Sequence, residues 1–264
     1  LEAVGGRVVC AWDISGPLHR HGAQAAQADP VGCVRDGKTG AIVKAVMRQL
    51  MTLHGLGLQV VCVFDGASQS AKRATDAERA AKRAHARARF DALARSSSLN
   101  AIERQELKKY ARMCFRRTRE LEDALRAALD AAGFAHQTAP HEADAQLAYL
   151  ARTGAVSYVL SEDSDLIVLG CPRVLCKLNV PQCTARLVEH ARLLNSPTAN
   201  KADLLSALAG RGEGGLHLVA ALAGNDFCKL PGIALATAKA ALSRMPAGSC
   251  NVDDALEALR KLKQ

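Results

Sequence analysis

Two apolar runs, RVVCAWD (Arg7 to Asp13) and LQVVCVFD (Leu58 to Asp65), each close on an aspartate. A third, Val156 to Leu160, leads into Glu162, Asp163 and Asp165, and APHEADAQLAYLARTG places Glu142 and Asp144 at the opening of a helix that follows a short strand. Ligands of open α/β sheets gather at the carboxyl ends of strands, where these acids stand. Asp163 and Asp165, two apart in an extended segment, are expected to point the same way, with Glu162 turned from them. Taken singly, any one of these acids reads better as a helix cap or a surface turn than as a ligand. As a set, six carboxylates in one crevice would repel and raise one another's pKa. Hard divalent cations resolve that repulsion, because Mg²⁺ takes oxygen ligands and bridges carboxylates to phosphate.

The basic residues point to the same chemistry. Between Lys72 and Glu120 stand fifteen Lys and Arg against six acids, a surplus equal to the +9 of the whole chain. A solvated helical face would carry such a run, and so would a surface for a polyanion, where neutralised phosphates release counterions. Lys72, Arg79, Arg83 and Arg87 fall on one helical stripe, with Glu78 and Lys82 an i,i+4 pair. Carboxylates beside a basic helix suggest metal-assisted phosphodiester hydrolysis, with two ions about 4 Å apart activating water and stabilising the oxygens that enter and leave. Aromatic residues make up 3% of the chain, with one Trp. That composition disfavours a base-stacking single-strand binder and favours contact through backbone and shape.

These side chains need a scaffold, and the pattern supplies one. The runs ending at Asp13 and Asp65 read as buried strands, and KTGAIVKAVMRQLMTLHG between them as a helix stopping at Gly55. The Ala-rich stretch from Ala71 to Arg95 favours helix, SSSLN breaks it, and Asn100 with Glu103 forms a capping box for a further basic helix running, with an interruption, to Gly133. Short strands are expected at Phe134 to Thr138 and at Arg173 to Leu178, with the remainder mostly helical. The alternation implies an α/β fold, a mainly parallel sheet with helices on both faces. With 264 residues and a 49% hydrophobic share the chain can bury a full core, and no apolar run approaches a membrane span. Leu1 to Gly6 has neither the basic start nor the long apolar stretch of a signal peptide, so none is expected there. Nine scattered cysteines without C-x-x-C suggest reduced thiols in an intracellular protein. The first residue is Leu rather than an initiator Met, so a fragment or a partial gene model is expected.

VVCVFDGASQSAKRATDAERAAKR, APHEADAQLAYL, SEDSDLIVLGC and LAGNDFCKLPGIALATAKAAL resemble, in order, the signature blocks of the flap endonuclease/exonuclease 1 family of structure-specific 5′ nucleases. The resemblance spans Val8 to Leu242, and EADAQLAYL with EDSDL is nearest to the exonuclease 1 branch. It implies a PIN-like nuclease core over residues 1–245, a helical arch at about 72–132, a helix–two-turn–helix at about 215–243 and a final helix in 246–264. By resemblance the metal ligands are Asp13, Asp65, Glu142, Asp144, Asp163, Asp165 and Asp226, the last an ordinary loop acid by spacing alone. Lys72 and Arg79 become gateway residues that hold the scissile phosphate. DNA contacts are implied at His19, Arg20, Arg83, Arg87, Gly232, Ile233 and Lys239. Two Mg²⁺ ions, replaceable by Mn²⁺, are expected, with K⁺ at the two-turn motif.

The chain departs from the family at several positions. Ser15 stands where an aromatic residue is common, Ala234 where a Gly is usual, and Thr237 where a phosphate-contacting Lys is found. These differences bear on duplex affinity and the K⁺ site more than on the acids. The expected activity is a 5′→3′ exonuclease on duplex DNA with a 5′ end, nick, gap or flap, with flap endonuclease action besides, in DNA repair or recombination. A flap endonuclease proper and a cleavage-deficient DNA-binding remnant are the competing readings. Family analogy adds mismatch-repair partners, a monomeric state, no membrane association and a nuclear location.

Overall fold

A computed structural model describes residues 8–195, 208, 210–226 and 230–262. Six strands form one sheet in the order β3-β2-β1-β4-β5-β6. They are β1 (Val8–Asp13), β2 (Leu58–Phe64), β3 (His136–Thr138), β4 (Tyr158–Leu160), β5 (Arg173–Asn179) and β6 (Thr184–Glu189). The first five pair in parallel, as the alternation of elements requires, and β6 joins β5 antiparallel at the edge. Where mostly helix was expected beyond Leu178, β6 is therefore a correction. Its first four residues are exposed, so it lacks the buried alternation by which a strand announces itself.

Strand parity sorts the core. Cys10, Trp12, Cys62, Phe64, Tyr158 and Leu160 face one side, packing on α1 (Ser15–Ala28), α3 (Gly40–Gly55) and α6 (Arg119–Ala131). Ala11, Val63 and Val159 face the other, against Ala143, Leu147 and Ala148 of α7 (Ala143–Arg152). Asp13 and Asp65 continue the second parity, so each strand end aims its carboxylate toward the α7 side. The chain runs outward from β1 through β2 to β3, then returns to start β4 on the other flank of β1. The switch point, and with it the crevice, lies between β1 and β4.

The basic segment folds into α4 (Arg73–Ala94) and α5 (Ala101–Cys114). Asn100 accepts from the Glu103 backbone and Glu103 returns the bond, the capping box read from sequence. Phe90 and Ala111 bury against Ala26 of α1, with Val31, Cys33 and Val34 of α2 (Pro30–Val34) alongside, so this pair of helices leans on the core. Phe115 closes the seam. Gly22 faces its ring, and a Cβ there would collide with it.

A second apolar cluster joins α10 (Gly212–Ala223), α11 (Leu235–Arg244) and α12 (Val252–Leu262) through Leu216, Leu222, Leu242 and Leu259. Among the described residues the two other helices, α8 (Asp165–Val168) and α9 (His190–Asn195), are short. Ile167 and Val168 of α8 pack on the second cluster and link it to the sheet. Part of the expected two-turn motif, residues 227–229, lies outside the described residues. The eight described cysteines are free thiols. Among the described residues no helix is long and apolar enough to cross a membrane.

Candidate functional site

Asp13, Asp65, Glu142, Asp144, Asp163 and Asp226 line one cavity of about 400 Å³ at the carboxyl ends of the strands. Asp13 is the deepest, 7% exposed at the end of β1. Its two oxygens accept from the Ser15 backbone N–H (2.8 Å) and the Ser161 hydroxyl (2.9 Å). Ser161 also accepts from the Asp163 N–H at 3.1 Å, so one hydroxyl ties the end of β1 to the turn after β4. Beyond β2, Gly66 is required because a Cβ would strike the Ala139 and Pro140 carbonyls. That close approach brings the start of α7 to Asp65, whose Oδ1 accepts the Ala143 N–H at 2.9 Å.

Asp163 and Asp165 do not share one extended segment, as their spacing suggested. The chain turns after Leu160 and α8 begins at Asp165, whose N–H donates to Asp163 Oδ1 at 2.9 Å. Asp163 faces the main cavity, while Asp165 lines the adjoining groove with Asp163, Arg79 and Asp226. Glu162 turns away as expected, accepting from the Lys177 N–H (2.8 Å) and pairing with Arg20 at 3.6 Å.

The basic stripe is divided. Lys72 lies in a 3₁₀ turn (Ser70–Lys72) just before α4; its ammonium contacts Glu142 and stands 3.6 Å from Asp226. One turn on, the buried Thr75 hydroxyl donates to the Asp226 carbonyl at 2.9 Å. Arg79 reaches both Asp226 carboxylate oxygens, at 2.9 and 3.1 Å. Lys72 and Arg79 therefore meet the acids. Arg83 and Arg87 do not; they line a neighbouring groove against α2, where Arg87 binds Asp91 and the Val34 carbonyl. Seven residues from Lys72 to Arg79 bring both to the cavity, but the further turns of α4 carry the stripe past it.

His19 lines the cavity wall edge-on to Phe115, ring centroids 6.0 Å apart. Burial, then the Arg117 and Arg79 charges, hold its imidazole below the usual histidine range. Arg20 lines a different groove, near β5. Gly232, Ile233 and Lys239 lie with the second cluster, outside the cavity lining. Gly232 adopts φ +74° and Ile233 packs against the helices. Sequence reasoning missed two charged members of the lining, Asp76 of α4 and Arg117 between α5 and α6. Arg117 donates to the Ser15 hydroxyl (2.6 Å) and to Asp65 Oδ2 (2.7 Å), contacts 102 and 52 residues distant in sequence that no local pattern signals.

The carboxylates divide by environment. Burial raises Asp144 to about 8, helped by Asp163, Asp13, Asp65 and Asp165 around it. Burial likewise raises Asp13 and Asp165. At Asp65 burial pulls upward as well, but the Ala143 N–H, the Arg117 guanidinium and the Ser15 hydroxyl hold the group below the usual carboxylate range. Burial tends to lower Lys72, and the bond to Glu142 with the charge of Asp226 raises it above its ordinary value.

Among the described residues no three His, Cys, Asp or Glu side chains form a ready-made chelate. The donor set nevertheless fits a hard divalent cation. Its donors are carboxylate oxygens, and its centre is short of positive charge, as the raised Asp144 records. Mg²⁺ keeps several waters and takes one or two carboxylates with phosphate oxygens, so acids spread around a cavity suit it without converging on one point.

Residues 133–226 match the XPG I-region family model. Flap endonuclease 1 of Aeropyrum pernix is 32% identical over 146 residues, 55% of this chain and 40% of that protein. Exodeoxyribonuclease 1 of Saccharomyces cerevisiae is 30% identical over 142 residues, 53% of this chain and 19% of that one. The chain thus aligns with less than half of either relative. Among solved structures, the catalytic core of Rad2 in complex with DNA substrate superposes with a TM-score of 0.67 at 17% identity, covering 95% of this chain and 65% of that one.

Proposed function

We propose that this chain belongs to the flap endonuclease/exonuclease 1 family of structure-specific 5′ nucleases, a reading supported by the XPG I-region match and by its similarity to flap endonuclease 1 and exodeoxyribonuclease 1, and that it hydrolyses DNA phosphodiesters with divalent metal ions, as a 5′→3′ exonuclease on duplex ends with 5′-flap cleavage besides. One observation carries the reading: acids from four strand ends and a distant loop meet in a single cavity whose rim holds Lys72 and Arg79.

Asp13, Asp65, Glu142, Asp144, Asp163, Asp165 and Asp226 would hold two Mg²⁺ ions, or Mn²⁺ in their place. The ions would supply an activated water and charge stabilisation at the phosphate. The chain's own groups do the rest. Ser161 and the Ser15 N–H fix Asp13 in one orientation. Lys72 and Arg79 exchange their carboxylate partners for phosphate oxygens and offset the charge that develops there. Neutral His19 offers a ring edge to the strand near the wall. Arg83 and Arg87 extend a positive path beyond the cavity, along the basic helices proposed as an arch over the strand. Gly232, Ile233 and Lys239 would grip duplex backbone, with K⁺ at the same two-turn motif. Repair or recombination in the nucleus, mismatch-repair partners and a monomeric state belong to this reading as proposals from the family.

A labelled duplex with a recessed 5′ end, compared with a 5′-flap, tests it under Mg²⁺. Cleavage of both, lost with Asp163→Ala while binding persists, is the expected result. Cleavage of the flap alone would favour a flap endonuclease proper, which matches this chain as well as exonuclease 1 does. No cleavage of either would leave a DNA-binding remnant, a reading opposed by the retention of so many mutually repelling acids.

A further inference from the structure

Arg117 contacts the acid cavity and also stands near the first turn of α6. Its guanidinium forks, one nitrogen donating to the Ser15 hydroxyl at 2.6 Å and the other to Asp65 Oδ2 at 2.7 Å. Ser15 donates in turn to the same Asp65 oxygen at 2.8 Å, closing a three-member ring. Asp65 Oδ2 thus has both lone pairs engaged, and Oδ1 accepts the Ala143 N–H. A cation that uses Oδ2 must remove one of these donors.

Arg117 also has a second acceptor within reach. Glu122 Oε1, in the first turn of α6, stands 3.9 Å from the Arg117 nitrogen that binds Ser15. The backbone leading to it is not helical: Phe115 leaves the helix at ψ 133° and Thr118 is extended, so the side chain sits on a short connection between α5 and α6. A half-buried guanidinium with one carboxylate in the cavity and another outside it has two places to rest. Only Arg spans a hydroxyl and a carboxylate with one planar fork, which a lysine ammonium cannot reproduce.

We propose that Arg117 is a displaceable counter-ion of Asp65, latched by Ser15, which leaves the cavity for Glu122 when a divalent cation enters. The role rests on the proposed function, because it presumes that the acids take such a cation. Ion uptake in the absence of DNA is then opposed by the chain's own positive charge, and loading the cavity moves a guanidinium from Asp65 to Glu122.

Isothermal titration of Mg²⁺ into the DNA-free protein tests this. Arg117→Gln should bind the ion about fivefold more tightly or better, the scale of losing one part-exposed ion pair. Ser15→Ala should move affinity in the same direction by less, and Arg117→Lys should fall between Arg117→Gln and the wild type. In wild-type protein the Arg117 side-chain N–H resonance, assigned through Arg117→Lys, should shift in step with ion saturation. Equal or weaker binding by folded Arg117→Gln, or a resonance that stays put while the ion binds, would overturn the counter-ion role alone. Absence of binding in every variant would overturn the role together with the metal-dependent function.

Discussion

The floor and the rim of the acid cavity handle the same charge in opposite ways. On the rim, Asp65, Glu142 and Asp226 each hold a basic partner: Arg117, Lys72 and Arg79. On the floor, Asp13 leans on hydroxyl and backbone donors, and Asp144 stands among four other carboxylates and rises to about 8. A rim pair can open toward solvent and trade its acid for a phosphate. The floor has no such exchange available and is left with a deficit of positive charge that, in the proposed function, a divalent ion would meet. The two regions therefore teach different things. In the proposed function the floor would hold the ion, and the rim shows how the chain balances charge without one.

The comparison breaks most visibly if the floor is altered. Asp163→Ala is expected to lower cleavage by on the order of 10³-fold, while filter binding of the duplex persists; cleavage within a few fold of wild type would remove Asp163 from the site. Next comes the rim. Lys72→Ala with Arg79→Ala should slow single-turnover cleavage by roughly 10²-fold, the scale of losing charge-stabilising donors. A full-rate double variant would show that these side chains only neutralise acids.

A third test separates floor from rim through pH, in metal-free protein. The folded-state pKa of Asp144 is raised from 3.8 to about 8. The unfolded chain therefore ionises first, and across that window it sheds a proton that the folded state keeps. Stability falls as pH rises between those two values and levels off above the upper one. Asp144→Asn should flatten this slope and raise the melting temperature near neutrality by several degrees, on the scale of about 1–2 kcal/mol. An unchanged slope would show that Asp144 is not under strain from its neighbours. The smallest effect is expected outside the comparison: Glu162→Ala removes an acid bonded to the Lys177 N–H and Arg20, so cleavage should stay within about twofold. A large loss would mean that the sequence SEDSD cannot be divided as the fold divides it.

Much of the floor was legible in the sequence because its signals are local. An apolar run closing on an acid is visible in seven residues, and parallel topology sends such ends to one side of the sheet. Asp226 was reachable only by resemblance, since a loop acid after an apolar helix has no periodic mark. Arg117 could not be read at all. Its position depends on Phe115 seating against α1 and on a non-helical connection that turns one arginine of FRRT inward. Asp163 and Asp165 misled through their spacing, because two-residue periodicity applies only while the chain stays extended and here a helix intervenes. Strand β6 was hidden by its exposed first residues. What stays invisible in one dimension is what depends on where elements cross.

Whether the floor acids gather divalent ions for phosphodiester cleavage is decided by one titration. Release of a 5′ label from a recessed duplex is followed as Mg²⁺ rises from zero, with wild type and Asp144→Asn in parallel. Cleavage should be absent without the ion, saturate with it in wild type, be reversed by chelation, and be lost or shifted to far higher Mg²⁺ in the variant. Label release that persists without divalent ions, or curves that coincide for the two proteins, would contradict this role of the floor acids.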